Sequence, residues 1–196
     1  NPDLLNKLCG ELLKDKSKKQ TPPPVKTTEK TVEPEELLDW ESEGFDKNNV
    51  IIYTDGSCLT NPGPGGAAFI VRCNTFCLKD AYSFPGETTN NICEITAAIR
   101  ALKSLPAGCK VTLHSDSQYV INAFNKGWLV NWKKNNWIKS DGKEVKNIPL
   151  WKELMDASRN HEVEWVWVKG HAGDPDNELC DQMAVEASMK ASKQAS

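Results

Sequence analysis

The sequence predicts a mixed α/β fold, a sheet flanked by helices. Three strand-forming stretches follow one another closely enough to pair as antiparallel hairpins, at Val50–Thr54, 66–73 and 75–84. Strands then alternate with helical stretches to the end of the chain, the pattern that builds layered α/β domains. The 196 residues, 39% hydrophobic and 26% charged, suffice for one or two domains with a substantial core. No apolar run approaches the roughly 18 residues that span a bilayer, and no internal repeat occurs.

Residues 1–47 read differently from the rest. "LLNKLCGELL" spaces its leucines helically, and "PEELLDW" predicts one short helix with Pro34 in its first turn. Between them lies a Lys, Thr, Pro and Glu-rich stretch with too little apolar surface to offset its ordering entropy. The expectation is a flexible tether, the end of another domain, followed by a catalytic domain over 48–192. The missing initiating Met fits a fragment or processed product.

Within the domain each element has its reason. "VIIYT" is β-branched and aromatic and ends on Asp55, before the Gly- and Pro-rich loop "GSCLTNPGPGG". "TNNICEITAAIRALKSL" puts Ile92, Ile95, Ala98, Ile99 and Leu102 on one helical face, with Pro106 and Gly108 after it. "KVTLHSD" is a fourth strand ending on Asp116, with a helix near 117–125. A helix over 148–159, a fifth strand in "VEWVWVKG" and a last helix in "NELCDQMAVEASMK" complete the chain. Seven cysteines, an odd number without C-x-x-C spacing, read as free thiols in a reducing, intracellular and cytoplasmic setting.

Two acids thus end strands, where open α/β sheets place their chemistry. Taken singly, each acid has an ordinary explanation. Asp116 would cap the next helix, Glu94 would complement a helix dipole, Asp181 would be solvated and Asp55 would shape a turn. Taken together, converging carboxylates without a matching arginine repel one another unless a cation neutralises them. Oxygen-only ligands suit Mg²⁺ or Mn²⁺. Two such ions clamp a phosphodiester for in-line attack. His171 stands in the loop "VKGHAGDPDNE", bracketed by glycines and following a strand end.

The net charge of −3 argues weakly against a nucleic-acid partner, but its distribution reverses that argument. Residues 125–152 carry seven lysines against Asp141 and Glu144, a local +5. Trp128, Trp132 and Trp137 alternate there with Lys133, Lys134 and Lys139. Buried indoles and a solvated lysine face explain the pattern, and the same lysines can meet a phosphate backbone.

The motifs "YTDGSCLTNPGPGG", "TTNNICEITAAI", "SDSQYVINAF", "GWLVNWKKNNWIKSDGKEVKN" and "WVWVKGHAGDPDNELCDQMA" occur in the order and spacing of type 1 ribonuclease H. Over roughly residues 48–190 the chain resembles the bacterial form with a basic protrusion. Each motif alone is weak, and five in order are specific. The resemblance implies a five-stranded mixed sheet, with strands 1–3 antiparallel and strands 4–5 parallel. It implies endonucleolytic hydrolysis of the RNA strand of RNA–DNA hybrids by two Mg²⁺ ions, Mn²⁺ being a substitute, leaving 5′-phosphate and 3′-hydroxyl ends. The family's metal-binding acids fall on Asp55, Glu94, Asp116 and Asp181, and its catalytic loop histidine on His171. Its substrate contacts fall on Asn61, Asn90, Asn91 and Gln118, with Thr89 at a DNA-phosphate pocket. Trp128, Lys133 and Lys134 join them from the basic stretch. Asn and Gln amides suit a 2′-hydroxyl, which both donates and accepts. A monomer is implied, with an additional N-terminal domain an open possibility.

Departures from the pattern are few. Thr60 stands where glycine is common, Ile92–Cys93 replace a basic–Met pair, and Asp174 adds an acid beside the histidine. Three rivals remain. The chain could be the ribonuclease H portion of a reverse transcriptase polyprotein, or a catalytically silent hybrid-binding module. A transposase or integrase of the same fold class would place its acids differently and lacks "TTNN" and "KGHAG".

Overall fold

The computed structural model describes residues 44–194; residues 1–43 of the expected tether, with the two short N-terminal helices, lie outside them. Five strands form one sheet in the order β3-β2-β1-β4-β5. They are β1 (Val50–Cys58), β2 (Gly63–Cys73), β3 (Phe76–Thr88), β4 (Lys110–Ser115) and β5 (Glu162–Trp167). The first three pair antiparallel, whereas β1 with β4 and β4 with β5 run parallel. The helices are α1 (Asn90–Lys103), α2 (Gln118–Asn125), α3 (Trp128–Lys134), α4 (Ile148–Ser158) and α5 (Pro175–Gln194).

Strand alternation sends side chains to two faces. Ile52, Phe69, Val71, Leu113 and Trp165 meet α1, α2 and α4 on one face, in a core that includes Ile95, Leu102, Ile121, Trp151 and Leu154. On the other face Ala68 and Ile70 receive Cys180 and Ala184 of α5. The entry to the domain is pinned to the sheet. The Asp46 N–H meets the Cys73 sulfur at 2.9 Å, and the Lys47 carbonyl accepts from the Lys110 N–H at 2.7 Å.

Two expectations need correcting. Asp55 does not end β1, because Gly56, Ser57 and Cys58 go on pairing with Ala67, Gly66 and Gly65. The parallel ladder to β4, by contrast, stops at Tyr53 opposite His114. Asp55 therefore lies just past the point where β1 loses one neighbour while keeping the other. Likewise β3 continues through Pro85 and Gly86 to Thr88. Proline is tolerated there because β3 is an edge strand and need not donate on its open side.

Candidate active site

Four segments deliver the site. Asp55 comes from β1, Glu94 from the second turn of α1, Asp116 from the residue after β4, and Asp181 from α5. Close approach of backbone to backbone makes the arrangement possible. A β-carbon on Gly56 would collide with the Glu94 backbone nitrogen and lie 2.6 Å from the Cys93 carbonyl carbon. Glycine here lets α1 sit directly on β1, which brings Glu94 toward Asp55. A β-carbon on Gly170 would stand 2.5 Å from Asp116 Oδ2, so glycine lets the histidine loop pass that carboxylate without displacing it.

Ser117, not Asp116, caps α2: its hydroxyl oxygen accepts the Val120 N–H at 3.3 Å. Asp116 is thereby left free of the capping role that it could have had. The Ser117 hydroxyl also donates to Glu94 Oε2, and the Asn90 amide donates to Glu94 Oε1 at 2.8 Å. The Trp167 indole N–H reaches the Asp116 carbonyl at 3.1 Å. Sequence reasoning missed the roles of Ser117, Gly170 and Trp167. Ser directly after a strand-ending Asp was the one available signal.

The electrostatics follow from burial without a counter-charge. Asp55 is 7% exposed. Burial first, then Asp116 and Asp181, push its carboxyl up to about 8, against the pull of the Gly56 N–H at 2.7 Å. Burial likewise raises Glu94 to about 7, opposed by its hydrogen bonds from Ser117 and Asn90 and assisted by Asp116. Asp116 is raised by burial and by Asp181, with His171 acting in the opposite sense. Among the described residues no lysine or arginine forms an ion pair with any of the four acids.

As the side chains stand, no three His, Cys, Asp or Glu groups among the described residues converge on one ion position. Hydrogen bonds explain part of this, since Gly56 engages Asp55 while Ser117 and Asn90 engage both oxygens of Glu94. The donor set nevertheless fits a hard divalent cation. It is all oxygen, and Asp55, Glu94 and Asp116 are held above the ordinary carboxylate range by burial and mutual repulsion. A cation is the group that would relieve both.

The other candidate residues lie on several elements. Exposed His171 has φ +53 and places Nδ1 3.9 Å from Asp181 Oδ2. Asn61 accepts the Asn90 backbone N–H at 3.3 Å, joining the β1–β2 loop to the start of α1. Thr89 caps α1, accepting the Ile92 N–H at 3.4 Å. Asn91 is exposed at the start of α1 and Gln118 at the start of α2. Trp128 is half-buried and packs on Trp132, their centroids 6.0 Å apart. Lys133 and Lys134 are exposed in the last turn of α3.

Comparison with known proteins agrees with this architecture. Residues 47–189 match the RNase H family model. Ribonuclease H of Thermoanaerobacter sp. (strain X514) is 52% identical over 146 residues, covering 74% of this chain and 93% of that protein. Ribonuclease HI of Pasteurella multocida (strain Pm70) is 50% identical over 138 residues, covering 70% and 88%. The crystal structure of LC9-RNase H1, a type 1 RNase H, superposes with a TM-score of 0.64 at 30% identity, covering 73% of each chain. The LC11-RNase H1 structure in complex with RNA/DNA hybrid shares the fold, with a TM-score of 0.55 at 24% identity over 73% of this chain and 99% of that one. A family match over most of the chain, together with relatives half identical along nearly their whole length, places this chain in the ribonuclease H family of endoribonucleases.

Proposed function

We propose that this chain hydrolyses the RNA strand of RNA–DNA hybrids with two Mg²⁺ ions, leaving 5′-phosphate and 3′-hydroxyl ends. One observation carries the reading. Four carboxylates from four distant segments are gathered where β1 parts from the end of β4, with no lysine or arginine paired to them among the described residues. Asp55, Glu94, Asp116 and Asp181 would hold the ions. Bound there, the ions supply neutralising charge and a more acidic water for in-line attack.

The chain's own groups do the rest. Ser117 and Asn90 fix the Glu94 carboxylate from both sides. Trp167 ties down the backbone of Asp116. Asn61, Asn90, Asn91 and Gln118 offer amides close in the chain or by hydrogen bond to Glu94 and Asp116, able to satisfy a 2′-hydroxyl as donor or acceptor. This supports discrimination of RNA from DNA. His171, exposed beside Asp181, is placed to assist the attacking water or product departure. The four intact acids speak against a silent binding module.

The test is digestion of matched RNA–DNA, RNA–RNA and DNA–DNA duplexes with and without Mg²⁺. Cleavage confined to the RNA of the hybrid, and only with the metal, is the expected result. Equal cutting of RNA–RNA, or none with metal, would overturn the reading.

Lys133 and Lys134 extend the proposal to the phosphate backbone. Among the described residues neither forms an ion pair, and both are exposed. Each phosphate neutralised on a duplex releases counterions. Replacing both lysines with alanine is expected to raise KM for all hybrid sequences alike and to leave kcat nearly unchanged. The slope of log affinity against log salt should become shallower by about one to two units. An unchanged slope in a KM series across salt would mean that the pair only solvates α3.

A further inference from the structure

Cys58 and Cys93 are far apart in sequence and meet on one face of the sheet. Cys58 pairs across β1 and β2 with Gly65. Directly opposed antiparallel partners point their side chains the same way, about 4.5–5.5 Å apart. Gly65 has no side chain, and the Cys93 sulfur fills that place, 2.6 Å from where a β-carbon of Gly65 would be. The Cys93 sulfur therefore stands beside the Cys58 side chain, where a cross-strand neighbour would be. Thr88 confirms the meeting point. Its methyl shares the same space over Gly65 at 2.5 Å, and its carbonyl accepts the Cys58 S–H at 3.6 Å. Cys58 is partly exposed, whereas Cys93 is fully buried, and both are free thiols.

We propose that these two cysteines are an oxidative modification site, closed into a Cys58–Cys93 disulfide by a peroxide. The exposed partner reacts first. The Cys58 sulfur attacks hydrogen peroxide, an S–O bond forms, the O–O bond breaks and one water leaves, giving the sulfenic acid. The Cys93 sulfur then attacks that sulfur, the S–S bond forms and the S–O bond breaks. The departing oxygen takes the Cys93 proton as a second water. Two thiols supply two electrons, and one peroxide becomes two waters. Cys93 is shielded from solvent, so closure is slow and needs prolonged exposure.

Closure has a local consequence. The Cys58 S–H also reaches the carbonyls of Thr60 at 2.9 Å and Gly63 at 3.5 Å. Oxidation removes that single donor and with it the Cys58 tether to the β1–β2 loop, the loop that carries Asn61. The bond instead ties the end of β1 to the first turn of α1. This effect on cutting rests on the proposed hybrid hydrolysis, whereas the bond itself does not.

The full chain is incubated with hydrogen peroxide, its remaining thiols are alkylated, and it is mapped by mass spectrometry without reduction. The expected product is a peptide pair joined through Cys58 and Cys93, two hydrogens lighter than the free pair and released by dithiothreitol. Cys58→Ala should give no joined pair. In parallel, oxidised wild type should show a KM for hybrid raised about tenfold, restored by dithiothreitol, while peroxide leaves Cys58→Ala unaffected. Independent alkylation or over-oxidation of the two cysteines, or preferential joining through the exposed Cys77, overturns the site. A joined pair with unchanged KM overturns the effect on the loop. Absence of cleavage in the untreated protein would count against the hydrolase reading and leave the mapping to decide the disulfide.

Discussion

Asp55→Asn is expected to reduce hybrid cleavage by at least about 10³-fold at millimolar Mg²⁺, because one buried ligand of the charge cluster is gone. The same change should make the metal-free protein more stable at neutral pH. The folded-state carboxyl sits at about 8, against an ordinary value of 3.8. A raised carboxyl binds its proton more tightly folded than unfolded, so wild-type stability is highest below about pH 4 and falls as pH rises through 8. Each pKa unit corresponds to about 1.4 kcal/mol. Asparagine removes this loss, so the Tm advantage of the variant should be small near pH 4 and grow toward pH 8. Added Mg²⁺ should close the gap by stabilising wild type alone. Melting curves across pH, with and without metal, together with single-turnover cleavage, check both halves. A variant that cuts at the wild-type rate, or melts lower than wild type at pH 8 without metal, would sink the charge-cluster assignment.

Gly56→Ala should be severely damaging for a single added methyl group. The added carbon meets the backbone of Cys93 and Glu94, which cannot rotate away as a flexible side chain would. Helix α1 must lift from β1, at a cost of about 3 kcal/mol by the usual toll of overpacking. For a domain of this size that lowers Tm by about 6–12 °C. Glu94 moves with the helix, so residual activity should fall further than stability alone explains. Thermal melts in the absence of metal decide the matter, and a Tm within 2 °C of wild type, the shift that about 1 kcal/mol or less would give, would show that the contact yields easily.

Much of this was legible in the chain itself, for physical reasons that differ by element. The apolar stripe of α1 and the β-branched runs of β1 and β4 announce themselves through periodicity. The continuation of β1 through Gly56–Cys58 does not. Glycine, serine and cysteine after an Asp look like a turn, and only the facing residues Gly65–Ala67 of β2 make them a strand. The hydrogen bond from Ser117 to Glu94 joins residues 23 apart and leaves no local pattern. Gly170 reads as loop flexibility, while its geometric role depends on where β4 happens to end. The acids stand out in the sequence because their motifs occur in a recognisable order. Their altered protonation became visible only when burial was known.

The strand order has a last consequence, for synthesis. Asp55 lies near the start of the described residues and Asp181 on the last helix, which packs over β1, β2 and β3. A polypeptide emerging from the ribosome would complete both antiparallel hairpins, then β4 and β5, while still lacking its fourth acid. Nucleolytic competence should therefore switch on at the final docking event of folding, when α5 seats on a finished sheet. Until then, a growing chain would associate with an RNA–DNA hybrid through its lysines without cutting it.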